Sequence, residues 1–104
     1  MRKILILFFM LFVAPAWAYT DAQIANAIYK AEGGARYAYG INRKYCKYKN
    51  LAEARKICLN TIRHARRDFN GKGDFIIFLG LRYCPPGAAA ENKFWVRNVK
   101  HFLK

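Results

Sequence analysis

The stretch NLAEARKICLNTIRHARRDF, from Asn50 to Phe69, decides the fold class. Asn50 stands three residues before Glu53, the spacing of a helix N-cap and its N3 partner. Leu51, Ala54, Cys58, Ile62, Ala65 and Phe69 then recur on one face of a helix. A stripe of that length has to be buried against other elements. On the other side Lys56, Arg63 and Arg67 form a basic stripe, which fits either a solvated face or one that meets a polyanion.

Upstream, Thr20 and Gln23 have the capping-box spacing, and Ile24, Ala27, Ile28 and Ala31 recur at helical intervals, so a first helix is expected over about 21–32. Gly33 and Gly34 would end it. A long loop from Gly33 to Lys49 would follow. Downstream, Asp74 can cap FIIFLGLRY, a segment apolar nearly all round; the context favours a helix, and its aromatic and β-branched content leaves a buried strand open. CPPG, from Cys84, makes a hard turn. Asn92 then opens a last helix with Trp95, Val99, Phe102 and Leu103 on one side. With no repeat and no linker, the expected fold is all-α: a small compact bundle of about four helices with one long loop.

Met1–Ala18 reads as a secretory signal peptide. Arg2 and Lys3 precede the apolar run ILILFFMLFVA, and Ala16-Trp17-Ala18 fits a small-x-small cleavage site. A retained anchor is the alternative, although the run falls short of the roughly 20 residues of a membrane span. Cleavage leaves residues 19–104 as a single domain in an exported setting, periplasmic or extracellular. Removing Arg2 and Lys3 takes the formal net charge from +13 to about +11, a field that draws polyanions. For an exported chain these are cell-wall polymers or membrane headgroups; no nucleic-acid partner is expected. Of the three cysteines, Cys58 and Cys84 follow apolar, ordered segments and are the expected disulfide, whereas Cys46 lies in a polar loop. Two buried thiols without a bond are the other possibility.

The chain has only six carboxylates. Asp21, Glu53, Asp74 and Glu91 lie near helix starts, where negative charge is favoured, and Asp68 neighbours Arg66 and Arg67. Glu32 differs. It falls in the last turn of its helix, at the negative end of the macrodipole, and flanks the apolar face of Ile24, Ile28 and Ala31. Both effects raise a carboxyl pKa, and a carboxylic acid kept protonated near neutrality can protonate a glycosidic oxygen. A terminal glutamate tolerated beside Lys30 and Arg36 is the bland reading.

In AIYKAEGGARYAYGI, from Ala27 to Ile41, a helix is followed by a glutamate, small residues, and a loop with Tyr-Gly and an apolar residue. This resembles the catalytic-glutamate region of the lysozyme-like superfamily, in particular the lytic transglycosylases of bacterial cell walls. FLGLRYCPPGAAAENKFWVRNVKHFL is similar to the closing part of such domains. The resemblance implies a lysozyme-like fold with Glu32 as the catalytic acid/base and Tyr39, Gly40 and Ile41 lining the saccharide groove. It implies that Glu32 protonates the oxygen between N-acetylmuramic acid and N-acetylglucosamine. As carboxylate it would then deprotonate the muramoyl 6-hydroxyl, closing a 1,6-anhydro ring. A hydrolytic muramidase would want a second carboxylate, for which Glu91 is the one candidate.

Beside Glu32, Tyr37, Tyr39, Tyr45 and Tyr48 are interleaved with Arg36, Arg43, Lys44, Lys47 and Lys49. Flat rings can cover sugars, and cations can meet muramoyl-peptide carboxylates or teichoic phosphates, so Tyr37 and Arg36 join the expected substrate-binding set. Any one of these tyrosines could equally pack the loop onto the core. His64 and His101 have no ligand at metal-binding spacing, so no metal and no cofactor are expected. The first functional expectation is a monomeric, secreted peptidoglycan glycosidase of transglycosylase type. The alternative is a non-catalytic cationic envelope protein that binds peptidoglycan or another anionic glycan. Contact with a membrane surface is a further possibility.

Overall fold

The computed structural model describes residues 15–41, 46–83 and 89–103, with the backbone alone at 83 and 89–92. It is an all-α bundle. Four α-helices and one 3-10 segment make up the described residues: α1 (Asp21–Ala31), the 3-10 segment (Gly34–Gly40), α2 (Leu51–Asp68), α3 (Phe75–Tyr83) and α4 (Ala89–Phe102). The apolar run expected to belong to a signal peptide, Arg43, Lys44, Tyr45, Cys84, the side chain of Glu91 and the turn after Pro85 lie outside the described residues.

Local chemistry starts each helix. Thr20 Oγ1 accepts from the Gln23 N–H (3.1 Å) and Gln23 Oε1 accepts from the Thr20 N–H (2.8 Å), completing the capping box of α1. Asn50 Oδ1 accepts from the Glu53 N–H (2.9 Å) and opens α2. Asp74 caps α3, accepting from the N–H groups of Ile76 (2.8 Å) and Ile77 (3.2 Å). The continuous apolar run that left a strand open is therefore a helix, because a buried carboxylate serves its first turn. The last helix begins at Ala89, ahead of the expected Asn92.

The core is where the four amphipathic faces meet. α1 contributes Ile24, Ala27 and Ile28, and α2 contributes Ala54, Cys58, Ile62 and Ala65. From α3 and α4 come Phe75, Ile76, Leu79, Trp95 and Val99. α1 packs on α2 and α4, and α3 packs on α2 and α4. The ends of two stripes are looser than their periodicity suggests: Leu51 is 44% exposed and Phe102 42% exposed. Each sits in a terminal turn of its helix.

Polar groups fix the angles between helices. Arg66, near the end of α2, donates to Asp21 Oδ1 (2.5 Å), to the Tyr19 carbonyl (2.5 Å) and to the Ala16 carbonyl. Its guanidinium also lies over the Phe75 ring, 5.2 Å from the centroid. One side chain thus ties the start of α1 to α2 and α3. A cut after Ala18 leaves two of these three acceptors in place. Arg66→Ala is expected to cost about 1.5–3 kcal/mol, the scale of charge-assisted hydrogen bonds, measured by urea unfolding. Arg82 donates to Asp68 (2.8 Å) and holds that carboxyl below the usual aspartate range, with Arg67 beside it (3.4 Å).

Cys58 is buried in the α2 stripe, and Cys46 is exposed in the segment before α2. The Cys58–Cys84 pairing falls outside the described residues because Cys84 does.

Candidate active site around Glu32

Glu32 is the C-cap of α1, and its N–H donates to the Ile28 carbonyl (2.9 Å). Gly33 follows in the left-handed region (φ 97°), with its N–H on the Lys30 carbonyl (3.2 Å). That reversal is the structural use of the first glycine. The first part of the expected long loop folds into the 3-10 segment, which is kinked at Tyr37, Ala38 and Tyr39, while Ile41 and residues 46–50 belong to no helix. Tyr39 takes φ 57°, a conformation that costs a non-glycine residue about 1–2 kcal/mol.

The kink brings the chain back onto Glu32. A β-carbon placed on Gly40 would lie 1.5 Å from Glu32 Oε2 and 2.5 Å from its Cδ. The carboxyl therefore occupies the space over Gly40 that any other residue would fill. A tyrosine lies against the glycine stop that follows Glu32. The Tyr37 ring edges over Gly33, where a β-carbon would meet it at 3.3 Å, and is 58% exposed. The Arg36 guanidinium lies over the Tyr37 ring at 5.4 Å.

Tyr39 is held differently from the expected groove residue. It is buried, its ring is tilted against Tyr29 at 5.1 Å, and its hydroxyl accepts from Arg55 Nη1 (3.3 Å). The same nitrogen donates to Asn26 Oδ1 (2.9 Å). Tyr39 thus lies beneath the site as its support, and Tyr37 is the tyrosine that offers a face to solvent. Gly40 is exposed, and Ile41 is half-buried against the core. Tyr48 is partly buried against the same core, whereas Lys47 and Lys49 are exposed.

Burial raises the Glu32 carboxyl above its ordinary value of 4.5. Among the described residues no lysine or arginine pairs with Glu32, although Lys30 and Arg36 are close in sequence. Arg36 is on Tyr37, and Lys30 is exposed. Asp21, Asp68 and Asp74, by contrast, each pair with a basic side chain.

Three contributors were not singled out by sequence reasoning: Tyr29, Asn26 and Arg55. Two had readable signals. Tyr29 stands three residues before Glu32, one turn back on α1, and Arg55 stands three before Cys58, at the edge of the α2 stripe. The joining of Arg55 to Tyr39 across the kink had none, because it depends on a left-handed tyrosine that no local pattern announces.

Gly40→Ala tests the seat. The new methyl meets the mobile end of Glu32, so stability should fall only by about 1–2 kcal/mol for the left-handed backbone. The carboxyl must move by more than 1 Å, and any reaction that depends on its position should slow about a hundredfold. Parallel turnover and thermal unfolding measurements check the two effects separately. No family model, no curated protein and no solved structure matches the chain.

Proposed function

We propose that the protein is an exported peptidoglycan glycosidase of lytic transglycosylase type, a divergent member of the lysozyme-like superfamily with Glu32 as its acid/base. The observation that carries this reading is the Glu32 carboxyl itself: half-buried, pushed up in pKa by that burial, without a cation among the described residues, and seated on Gly40. Such a group is poised to give a proton to a leaving glycosidic oxygen. The same oxygen atoms, once ionised, can take the proton of the muramoyl 6-hydroxyl as the anhydro ring closes. The mechanism uses one carboxyl twice. That suits a chain in which each described aspartate is committed to a basic partner.

Around the acid, the exposed Tyr37 ring gives an apolar face for a sugar ring, and Arg36 above it supplies charge for the carboxylates of the peptide stem. Gly40, lacking a side chain, leaves the room in which the carboxyl of the acid sits. Tyr39, Tyr29 and Arg55 hold that backbone in place and would not touch substrate.

The pH dependence of clearance of purified peptidoglycan tests the role. Glu32 must be protonated in the free enzyme, so kcat/KM should be highest at low pH. It should fall as pH rises through the elevated pKa of Glu32. A rate that climbs through that range would show that the group at work is needed as a base and would overturn the assignment. Cosedimentation with peptidoglycan without any clearance would favour the non-catalytic envelope protein.

A further inference from the structure

We infer that the face shared by α3 and α4 docks on the surface of an anionic phospholipid bilayer. The inference stands apart from the glycosidase reading, because none of its residues belongs to the Glu32 site.

α3 and α4 run antiparallel here. Lys100 pairs with Asp74 at the start of α3, and Ile77 faces Val96 and Arg97 one turn on. Between them lies an open trough of about 510 Å³, lined by Ile77, Lys93, Val96, Arg97 and Lys100. Two large apolar side chains on the α3 side of this face are not covered: Ile77 is 47% exposed and Leu81, one turn further along α3, is 61%. Lys100 is engaged by Asp74, but among the described residues no carboxylate pairs with Lys93 or Arg97. The Arg97 guanidinium instead stands over the Phe94 ring at 4.8 Å. Among the described residues the face therefore combines protruding apolar side chains with positive charge that no carboxylate offsets.

A second copy is a poor occupant, since like faces would oppose Lys93 and Arg97 to themselves in a chain already strongly basic. An anionic bilayer satisfies both features together. Ile77 and Leu81 can enter below the headgroups while Lys93 and Arg97 stay level with the phosphates. The trough beside Val96 gives an acyl chain room to follow. Contact of this kind is peripheral, and no described helix is long and apolar enough to cross a membrane.

The test uses the chain from Tyr19 onward, which keeps every core residue. It is cosedimented with vesicles of phosphatidylcholine alone and of phosphatidylcholine mixed with phosphatidylglycerol. Binding is expected to the mixed vesicles only, and to weaken as salt is raised. Lys93→Gln with Arg97→Gln should lower the partition coefficient about twenty-five-fold, from roughly a fivefold loss per cation. Ile77→Ser with Leu81→Ser, both at exposed positions, should lower it at least fivefold without changing the charge. The control, Lys56→Gln with Arg63→Gln on the exposed side of α2, removes the same charge from another face and should lower it less than fivefold. Equal losses from the control and from Lys93→Gln with Arg97→Gln would reduce the effect to net charge and overturn the proposal. So would equal binding to neutral vesicles, no binding to anionic ones, or binding only to monomeric amphiphile. A loss of helical circular dichroism in one variant pair leaves the other pair to decide.

Discussion

Glu32→Gln is expected to reduce peptidoglycan cleavage by about 10²–10⁴-fold, the usual contribution of a general acid, and to make the protein more stable at neutral pH. Both effects have one cause. The carboxylate is partly desolvated and lies at the negative end of α1, so its ionised form is costly in the folded state. The sign of the pH dependence follows from the raised pKa. The folded protein binds this proton more tightly than the unfolded chain does. The stability Glu32 contributes is complete below its ordinary value of 4.5 and is lost as pH rises through the higher folded value. Glutamine escapes that loss. The melting temperature of the variant should exceed that of the wild type at neutral pH, and the difference should vanish in acid. Relief of the unfavourable dipole interaction alone is worth about 0.3–1 kcal/mol. A glutamate that merely ends a helix would show the stability change with no loss of activity.

Asp74→Ala is expected to have the largest effect on folding, a loss of about 2–4 kcal/mol. The Asp74 side chain is only 2% exposed, caps α3 through two N–H groups and pairs with Lys100 on α4. Removing a cap costs about 0.5–2 kcal/mol, and leaving buried N–H groups without an acceptor adds about 1–3 kcal/mol. Lys100 is 37% exposed and can return to water, which limits the damage from the broken pair. In a domain this small, the melting temperature should fall by more than about 10 °C. Asp74→Asn keeps a cap acceptor but loses the charge, so its melting temperature should fall between the two. Thermal unfolding of the three proteins orders them; a loss under about 1 kcal/mol for Asp74→Ala would show that α3 is held by its apolar contacts alone.

Helix positions were legible because capping chemistry and apolar period agreed. Thr20 with Gln23 and Asn50 with Glu53 make the bonds their spacing implies. The buried residues of α2 are the middle of the stripe that the sequence displays. The start of α4 was misplaced because Ala89 and Ala90 carry no cap signal, while Asn92 resembles one. At the candidate site, the glutamate at the negative end of its helix and the glycine stop were visible in the sequence. The burial of Tyr39 was not. Its side chain follows from the kink at Tyr37–Tyr39, and the support of that kink comes from Arg55 and Asn26 on two different helices. Interactions between distant segments leave no period to read.

The central claim is that Glu32 performs the chemistry, and mass analysis of the soluble products from purified peptidoglycan tests it most directly. The wild-type protein should release fragments ending in 1,6-anhydro-N-acetylmuramic acid, and Glu32→Gln, folded and at least as stable, should release none above background. Equal release by both proteins, or none by the wild type, would contradict it.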